Sequence, residues 1–115
     1  MIDAIITELC DIVEREKTRS YECERYFHST HEAESVIREE VEELQEATQE
    51  LTLLYKRLWG KVRRDAYIGI MVPYKMKQIA LNAAAEAVQT AAMCDKLMDS
   101  TRKWEEMKKN GKTED

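Results

Sequence analysis

The sequence predicts an all-α protein, a helical bundle of three to five helices with long antiparallel central helices, assembled as an oligomer. Glycine (3) and proline (1) are scarce among the 115 residues, whereas β-sandwiches and barrels need turn residues between their strands. Charged residues make up 36% of the chain, and apolar residues between them recur at the helical spacing of three and four. The length fits one domain, so we expect residues 1–115 to form a single all-α domain.

The composition also disfavours several classes of function. The isolated glycines Gly60, Gly69 and Gly111 predict no glycine-rich loop that holds a phosphate through backbone amides. A net charge of −5 disfavours binding to a nucleic-acid duplex, and no apolar run is long enough to predict a membrane helix. The acidic beginning of the chain argues against a signal peptide. Three cysteines without a C-x-x-C pair predict reduced thiols and a cytoplasmic location.

Helix one is predicted from about residue 3 to about residue 25, with Asp3 as its N-cap. One face of this helix is apolar and is expected to mark the side that packs. It consists of Ile2, Ile5, Ile6, Leu9, Ile12 and Val13. Residues 14–25 are mostly charged, so the helix is expected to leave the core or to end there.

Helix two is predicted from about residue 30 to about residue 65. Ser29 and Glu32 have the spacing of a capping box. The apolar stripe that follows consists of Ile37, Val41, Leu44, Thr48, Leu51, Tyr55, Leu58 and Val62. It is roughly 39 Å long at 1.5 Å per residue, whereas a compact chain of this length has a radius of gyration of about 13 Å. We therefore expect a bend near Gly60 or a partner chain, and favour a homo-oligomer.

Helix three is predicted from about residue 74 to about residue 109. Gly69 and Pro73 interrupt the helical pattern before it, and proline suits the first turn of a helix. Residues 79–94 are rich in alanine, which allows another helix to approach closely.

Carboxylates on the second and third helices form a candidate metal site. Glu86 is the one charged residue of segment 79–94, and a buried carboxylate is costly unless it is paired or bound to metal. Glu40 and Glu43 lie one helical turn apart beside the apolar stripe. If the two helices pack antiparallel, this pair meets Glu86 and Gln89. Such an all-oxygen ligand set suits Mg²⁺ or Mn²⁺, although the same pattern also fits a solvated polar face without an ion.

Two short motifs carry a resemblance to a known family. They consist of Glu39, Glu40 and Glu43 on helix two and of Glu86 and Gln89 on helix three. They resemble the E-E-x-x-E…E-x-x-D signature of the MazG-like all-α nucleoside triphosphate pyrophosphohydrolases. Segment 82–93 is also similar to members whose second motif reads E-A-(V/I)-Q-x-A-A-M. The resemblance covers about residues 28–98, with a glutamine in place of the final aspartate and a longer spacing between the motifs.

The resemblance implies a homodimer or homotetramer that uses Mg²⁺, and the all-oxygen ligand set makes Mn²⁺ a possible substitute. Its reaction would cleave a nucleoside triphosphate to the monophosphate and pyrophosphate. Glu40, Glu43, Glu86 and Gln89 would then be metal ligands, and Glu39 would be a catalytic acid that orients water or helps to bind metal. The alternative is a catalytically weak or inactive helical oligomerisation or interaction module with the same fold.

The sequence also offers side chains that could contact the rest of a nucleotide. Candidate phosphate-binding cations are Lys56, Arg57, Lys61, Arg64 and Lys75. Those at the end of helix two also complement the helix dipole, which is a purely structural role. Tyr26, Phe27 and His31 are candidates to line a pocket for the base.

Overall fold

The structure is a computed structural model that describes residues 2–22 and 24–111. Its elements are α1 (Ile2–Arg19), a 3₁₀ turn (Ser20–Glu22), α2 (Thr30–Arg63) and α3 (Met71–Lys109). The described residues contain no strand, which confirms the all-α class with two long helices. Within the same residues, no helix is both long enough and apolar enough to cross a membrane.

The first helix is shorter than the sequence predicted. α1 ends at Arg19 rather than near residue 25. The hydroxyl of Ser20 donates a hydrogen bond to the carbonyl oxygen of Lys17 at 2.5 Å. A serine side chain that takes up a terminal carbonyl in this way competes with continuation of the helix.

The predicted apolar face of α1 is largely uncovered. Ile2, Ile5 and Ile6 are each more than half exposed, whereas Leu9 and Val13 are partly buried. The expectation that this face packs is therefore met only at Leu9 and Val13.

The beginning of α2 matches the predicted capping box closely. The backbone N–H of Glu32 donates to the Ser29 hydroxyl oxygen at 3.1 Å. The Glu32 carboxylate accepts from the backbone N–H of His28, also at 3.1 Å. Both backbone N–H groups thus have an acceptor. In the usual capping box the glutamate accepts from the N–H of the capping residue itself, here Ser29, whereas Glu32 accepts from His28, one residue earlier. α2 then continues through Gly60 without a break in its helical assignment.

Gly60 is a site where a substitution should stabilise the protein. A methyl group added there would meet only the Arg64 guanidinium, at an ordinary contact distance of 3.6 Å. We expect Gly60→Ala to raise the free energy of unfolding by about 0.5–1 kcal/mol, because alanine loses less backbone entropy in a helix. Thermal unfolding of both proteins measures the change. Gly69→Ala is the contrasting variant and should destabilise, because Gly69 has a φ of 72°. Equal shifts in both variants would contradict this explanation.

The connection between α2 and α3 comprises residues 64–70 and begins with a turn. Asp65 has a φ of 54°, and the backbone N–H of Ala66 donates to the carbonyl of Lys61 at 2.9 Å. α3 begins at Met71, slightly before the predicted position, and Pro73 lies in its first turn as expected. Proline is tolerated there because the first N–H groups of a helix have no intrahelical acceptor.

The described residues group into two compact units. The terminal unit comprises the chain up to Glu39 and from Val88 onward, and the central unit comprises Glu40–Ala87. α2 and α3 each contribute to both. In the central unit Ala47, Leu54 and Val72 are buried. The two helices run antiparallel there, because Glu40 and Glu43 of α2 lie beside Glu86 of α3 and only residues 64–70 separate the two helices. The core of the terminal unit consists of Phe27, Ala33, Ala92 and Met93, with Val13, Val36, Ile37, Leu97 and Trp104 packed against it.

The buried row of α2 differs from the predicted stripe. Ala33, Ala47 and Leu54 are buried, whereas Tyr55 of the predicted stripe is more than half exposed. Glu40 belongs to the same row, because it lies seven residues after Ala33 and seven before Ala47, and Leu54 follows after another seven. Ile37, Leu44, Leu51 and Leu58 of the predicted stripe are partly buried, so the most buried positions of α2 lie beside this stripe rather than on it.

Lys17 is a buried charge that the sequence did not reveal. Its ammonium group lies 2.9 Å from Asp99, 3.1 Å from Asp95 and 3.3 Å from Glu14. Burial alone lowers the pKa of Lys17, but the hydrogen bonds that its ammonium group donates to Asp99, Asp95 and Glu14 more than offset this effect. The pKa is therefore raised above its ordinary value of 10.5. These contacts attach the charged end of α1 to α3 within the terminal unit.

Removing this ammonium group should destabilise the protein. We expect Lys17→Met to lower the free energy of unfolding by about 1–3 kcal/mol, because the remaining carboxylates repel one another; their partial exposure keeps the cost below that of a fully buried pair. Since folding raises the pKa, the lysine stabilises fully below about pH 10.5 and less as the pH rises further. The difference in the free energy of unfolding between Lys17→Met and the parent, measured by urea unfolding, should be the same at neutral pH and at about pH 9. A difference that disappears between these two conditions would contradict the proposed ion pairs.

Candidate metal centre

Three carboxylates meet within the central unit. Glu40 and Glu43 of α2 and Glu86 of α3 each offer one carboxylate oxygen, and these oxygens all lie within 4.8 Å of one another. Glu40 and Glu86 are partly buried. The structure thus brings together three of the four residues named as metal ligands from the sequence.

Local sequence explains how these side chains meet. Glu40 and Glu43 are three residues apart on one helix, which places their side chains one turn apart on the same face. Glu86 lies in an alanine-rich part of α3, and the small neighbour Ala83 is partly buried. Small side chains around the glutamate allow the two helix backbones to approach, so that carboxylates from both can converge.

The spacing of the cluster suits a divalent cation. Oxygens bound to one Mg²⁺ ion are about 3.0 Å apart at adjacent positions and about 4.2 Å apart at opposite positions, since each bond is about 2.1 Å. From the observed limit of 4.8 Å, each of the three oxygens would therefore have to move inward by about 1 Å at most. Larger Ca²⁺, with bonds of about 2.3–2.6 Å, also fits this spacing. The geometry supports a hard, oxygen-preferring divalent ion without selecting among these metals.

The two remaining residues of the motifs belong to the terminal unit. Glu39 is exposed and directly precedes Glu40 on α2. The side-chain amide of Gln89 donates a hydrogen bond to Glu16 at 2.5 Å, and Glu16 also pairs with Arg19 at 3.0 Å. The amide nitrogen of Gln89 therefore has a partner on α1 that no sequence pattern indicated. Metal ligation by Gln89 and a catalytic role for Glu39 stay predictions.

The predicted phosphate-binding cations lie at the other end of the central unit. Along α2, Lys56 follows Glu43 by about 20 Å of helical rise, and along α3, Lys75 precedes Glu86 by about 16 Å, at 1.5 Å per residue. The other candidates, Arg57, Lys61 and Arg64, lie farther along α2. Within one chain these cations are thus well separated from the carboxylates. Their contact with phosphate stays a prediction.

Two of the residues proposed to line a base pocket do line a cavity. Tyr26 and Phe27 border a cavity of the terminal unit, and His31 is not among its lining residues. Cys10 and Cys94 are exposed free thiols, and the expectation that the cysteines are reduced stays a prediction. Cys23 lies outside the described residues.

Comparisons with known protein families, curated proteins and solved structures find no match for this chain. The resemblance to the MazG-like pyrophosphohydrolases therefore depends on the chain's own motifs.

Proposed function

We propose that the protein is a Mg²⁺-dependent pyrophosphohydrolase that cleaves a nucleoside triphosphate to the monophosphate and pyrophosphate. The observation that supports this proposal is the convergence of Glu40, Glu43 and Glu86 within 4.8 Å. The two glutamate motifs resembling those of the MazG-like family suggest the reaction.

In this proposal three glutamates bind the metal ion and a fourth acts on the attacking water. Glu40, Glu43 and Glu86 hold the divalent ion between α2 and α3. When bound, the ion supplies a water of lowered pKa and neutralises charge on the phosphates. Glu39, which is exposed beside this site in the sequence, orients the attacking water or accepts its proton. Hydrolysis by this route joins the water oxygen to the α-phosphorus and releases pyrophosphate.

A panel of nucleoside triphosphates tests the proposal. Purified protein is incubated with each triphosphate in Mg²⁺, Mn²⁺, Ca²⁺ or EDTA, and nucleotides and pyrophosphate are quantified. We expect monophosphate and pyrophosphate in equal amounts from at least one triphosphate, with Mg²⁺ or Mn²⁺ only. Ca²⁺ should bind without supporting turnover comparable to Mg²⁺. Absence of product from every triphosphate, or product that persists in EDTA, would overturn the proposal.

We also propose a homo-oligomer, either a dimer or a tetramer. In the central unit, Leu53, Tyr55, Trp59 and Leu81 are each more than half exposed. Large exposed apolar patches are typical of association surfaces. A second copy would also offer its own cations to the carboxylates, which the helical rise prevents within one chain. Light scattering after size exclusion should give two or four times the 13.5 kDa chain mass, and the mass of a single chain would contradict the proposal.

The second candidate function is a helical interaction module without catalysis. The hydrogen bond between Gln89 and Glu16 favours it, because this amide already has a structural partner. A calorimetric titration that measures the affinity for Mn²⁺ distinguishes the two functions. Binding below millimolar concentration supports the enzyme, and absence of binding near that concentration supports the module.

Restoring an acid at position 89 gives a further prediction. The sequence predicts that Gln89→Asp tightens Mg²⁺ binding, but the structure places Glu16 beside this position. An aspartate there would repel Glu16, so the gain should be fully visible only in a Gln89→Asp/Glu16→Gln double variant. We expect the double variant to bind Mg²⁺ more tightly than the parent by about threefold to tenfold, which is roughly 0.7–1.4 kcal/mol. Glu16→Gln alone is the control, and equal affinity in both variants would exclude Gln89 from the site.

A further inference from the structure

A cavity of the terminal unit combines aromatic walls with positive charge. Its volume is about 520 Å³, within the range of small-molecule sites. Tyr26, Phe27, Trp104 and Met107 supply apolar lining, and Lys103 and Lys108 supply cations. The carboxylates proposed to bind metal belong to the central unit and play no part in this cavity.

The aromatic wall is held firmly in place. Phe27 is only 4% exposed, and its backbone N–H donates to the hydroxyl of Ser100 at 2.9 Å. The Lys96 ammonium lies 4.8 Å from the centre of the Phe27 ring. Trp104 packs against the same core cluster. A flat ligand would therefore meet rings that are already ordered, and binding would cost little side-chain entropy.

The charges around the cavity favour an anion. The Lys103 ammonium lies 4.3 Å from the centre of the Tyr26 ring, and the Arg25 guanidinium lies 5.5 Å from it. Among the recorded ion pairs of the described residues, none involves Lys103 or Lys108.

The other charged residues lining the cavity do not change this preference. Its acidic lining residue, Glu24, contributes one negative charge against the two positive charges of Lys103 and Lys108. Aromatic cages that bind quaternary ammonium ions work through attraction between a cation and the rings. Lysines at this cavity oppose such a ligand and attract a negative one.

We propose that this cavity binds a planar aromatic anion, a flat ring that carries a phosphate or carboxylate group. The ring would stack against Trp104, because cations already lie over the Tyr26 ring, and the anionic group would pair with Lys103 and Lys108. Nucleoside monophosphates and aromatic carboxylic acids share this chemistry. The proposal does not depend on the metal-dependent function, because it uses no residue of the carboxylate cluster.

Calorimetry in EDTA tests both halves of the ligand. The probes are AMP, adenosine without the phosphate, ribose 5-phosphate without the ring, and indole-3-acetate as a non-nucleotide aromatic acid. We expect AMP or indole-3-acetate to bind at least about tenfold more tightly than adenosine and ribose 5-phosphate, because charged hydrogen bonds and stacking each contribute about that factor. The tighter of the two anions identifies the source of the ligand. Failure of both to bind at millimolar concentration, or equal binding of ribose 5-phosphate, would overturn the proposal.

Paired lysine variants locate the binding. Lys103→Ala/Lys108→Ala removes the two cations of the cavity, and Lys77→Ala/Lys109→Ala removes two other exposed lysines of α3. Both leave the same net charge. We expect only the first to weaken binding of the anion, by about tenfold or more, with adenosine binding unchanged. Equal weakening in both variants would indicate general electrostatic attraction and overturn the site.

The tryptophan fluorescence of a Trp59→Phe variant reports the ring contact directly, since Trp104 is then the remaining tryptophan. Quenching by the bound anion is expected, and binding without any change in this signal would place the ligand elsewhere. Because these measurements use EDTA, their failure leaves the Mg²⁺-dependent release of pyrophosphate untouched. The two proposals can therefore fail separately.

Discussion

Glu86→Gln should reduce Mg²⁺-dependent pyrophosphate release by at least about a hundredfold. The substitution keeps the shape of the side chain but replaces a carboxylate of the cluster with a neutral amide. Even loss of an outer-shell partner of a metal ligand typically costs about 10–100-fold in affinity or activity, and Glu86 is proposed to contact the ion itself. Mn²⁺ affinity measured by calorimetry should fall together with the rate of release.

Glu42→Gln is the matched control for this variant. Glu42 is exposed on α2 and is not one of the three clustered residues, so the control removes the same charge near the site. Its activity and Mn²⁺ affinity should stay within about twofold of the parent, a change of about 0.4 kcal/mol. Circular dichroism should show equal helicity in all three proteins. Similar activity of Glu86→Gln and the parent would reject the metal-ligating role of Glu86.

Phe27→Ala should cause a large loss of stability, about 3–5 kcal/mol in the free energy of unfolding. Phe27 is 4% exposed and packs with Ala33, Ala92 and Met93 in the core of the terminal unit. The alanines around it cannot expand to fill the space of a missing ring. Because small domains are typically stable by only about 5–15 kcal/mol, urea unfolding should show a clearly lowered midpoint.

Phe27→Leu separates the loss of volume from other effects of the substitution. Leucine retains much of the apolar volume and leaves the backbone hydrogen bond to Ser100 possible. We expect it to cost less than half as much as the alanine variant, since the loss scales with the cavity that remains. Equal losses in both variants would mean that the ring does not fill the core as described.

Local patterns in the sequence were informative where neighbours along the chain decide the structure. The spacing of Ser29 and Glu32 predicted the start of α2, and Pro73 predicted the first turn of α3. These features depend on groups within four residues of one another. Glu40 and Glu43 were placed on one face for the same reason. Their meeting with Glu86 followed from a single assumption, that the two long helices lie antiparallel.

Contacts between distant parts of the chain were not predictable in the same way. The burial of Lys17 depends on Asp95 and Asp99, which lie about eighty residues later in the sequence. Gln89 has an unexpected partner in Glu16. A charged residue in a charged segment looks solvated until the opposing helix is known. The spacing of residues along one helix does not show which side chains of another helix will lie beside it.

The sequence by itself determined the helical class and the approximate limits of the long helices, because scarce glycine and proline and regular apolar spacing act on the backbone locally. Only the tertiary structure decided which row of α2 packs and that most of the apolar face at the start of α1 is exposed. Several neighbouring rows of a long amphipathic helix are apolar enough to pack. The choice among them depends on the complementary surface of another helix.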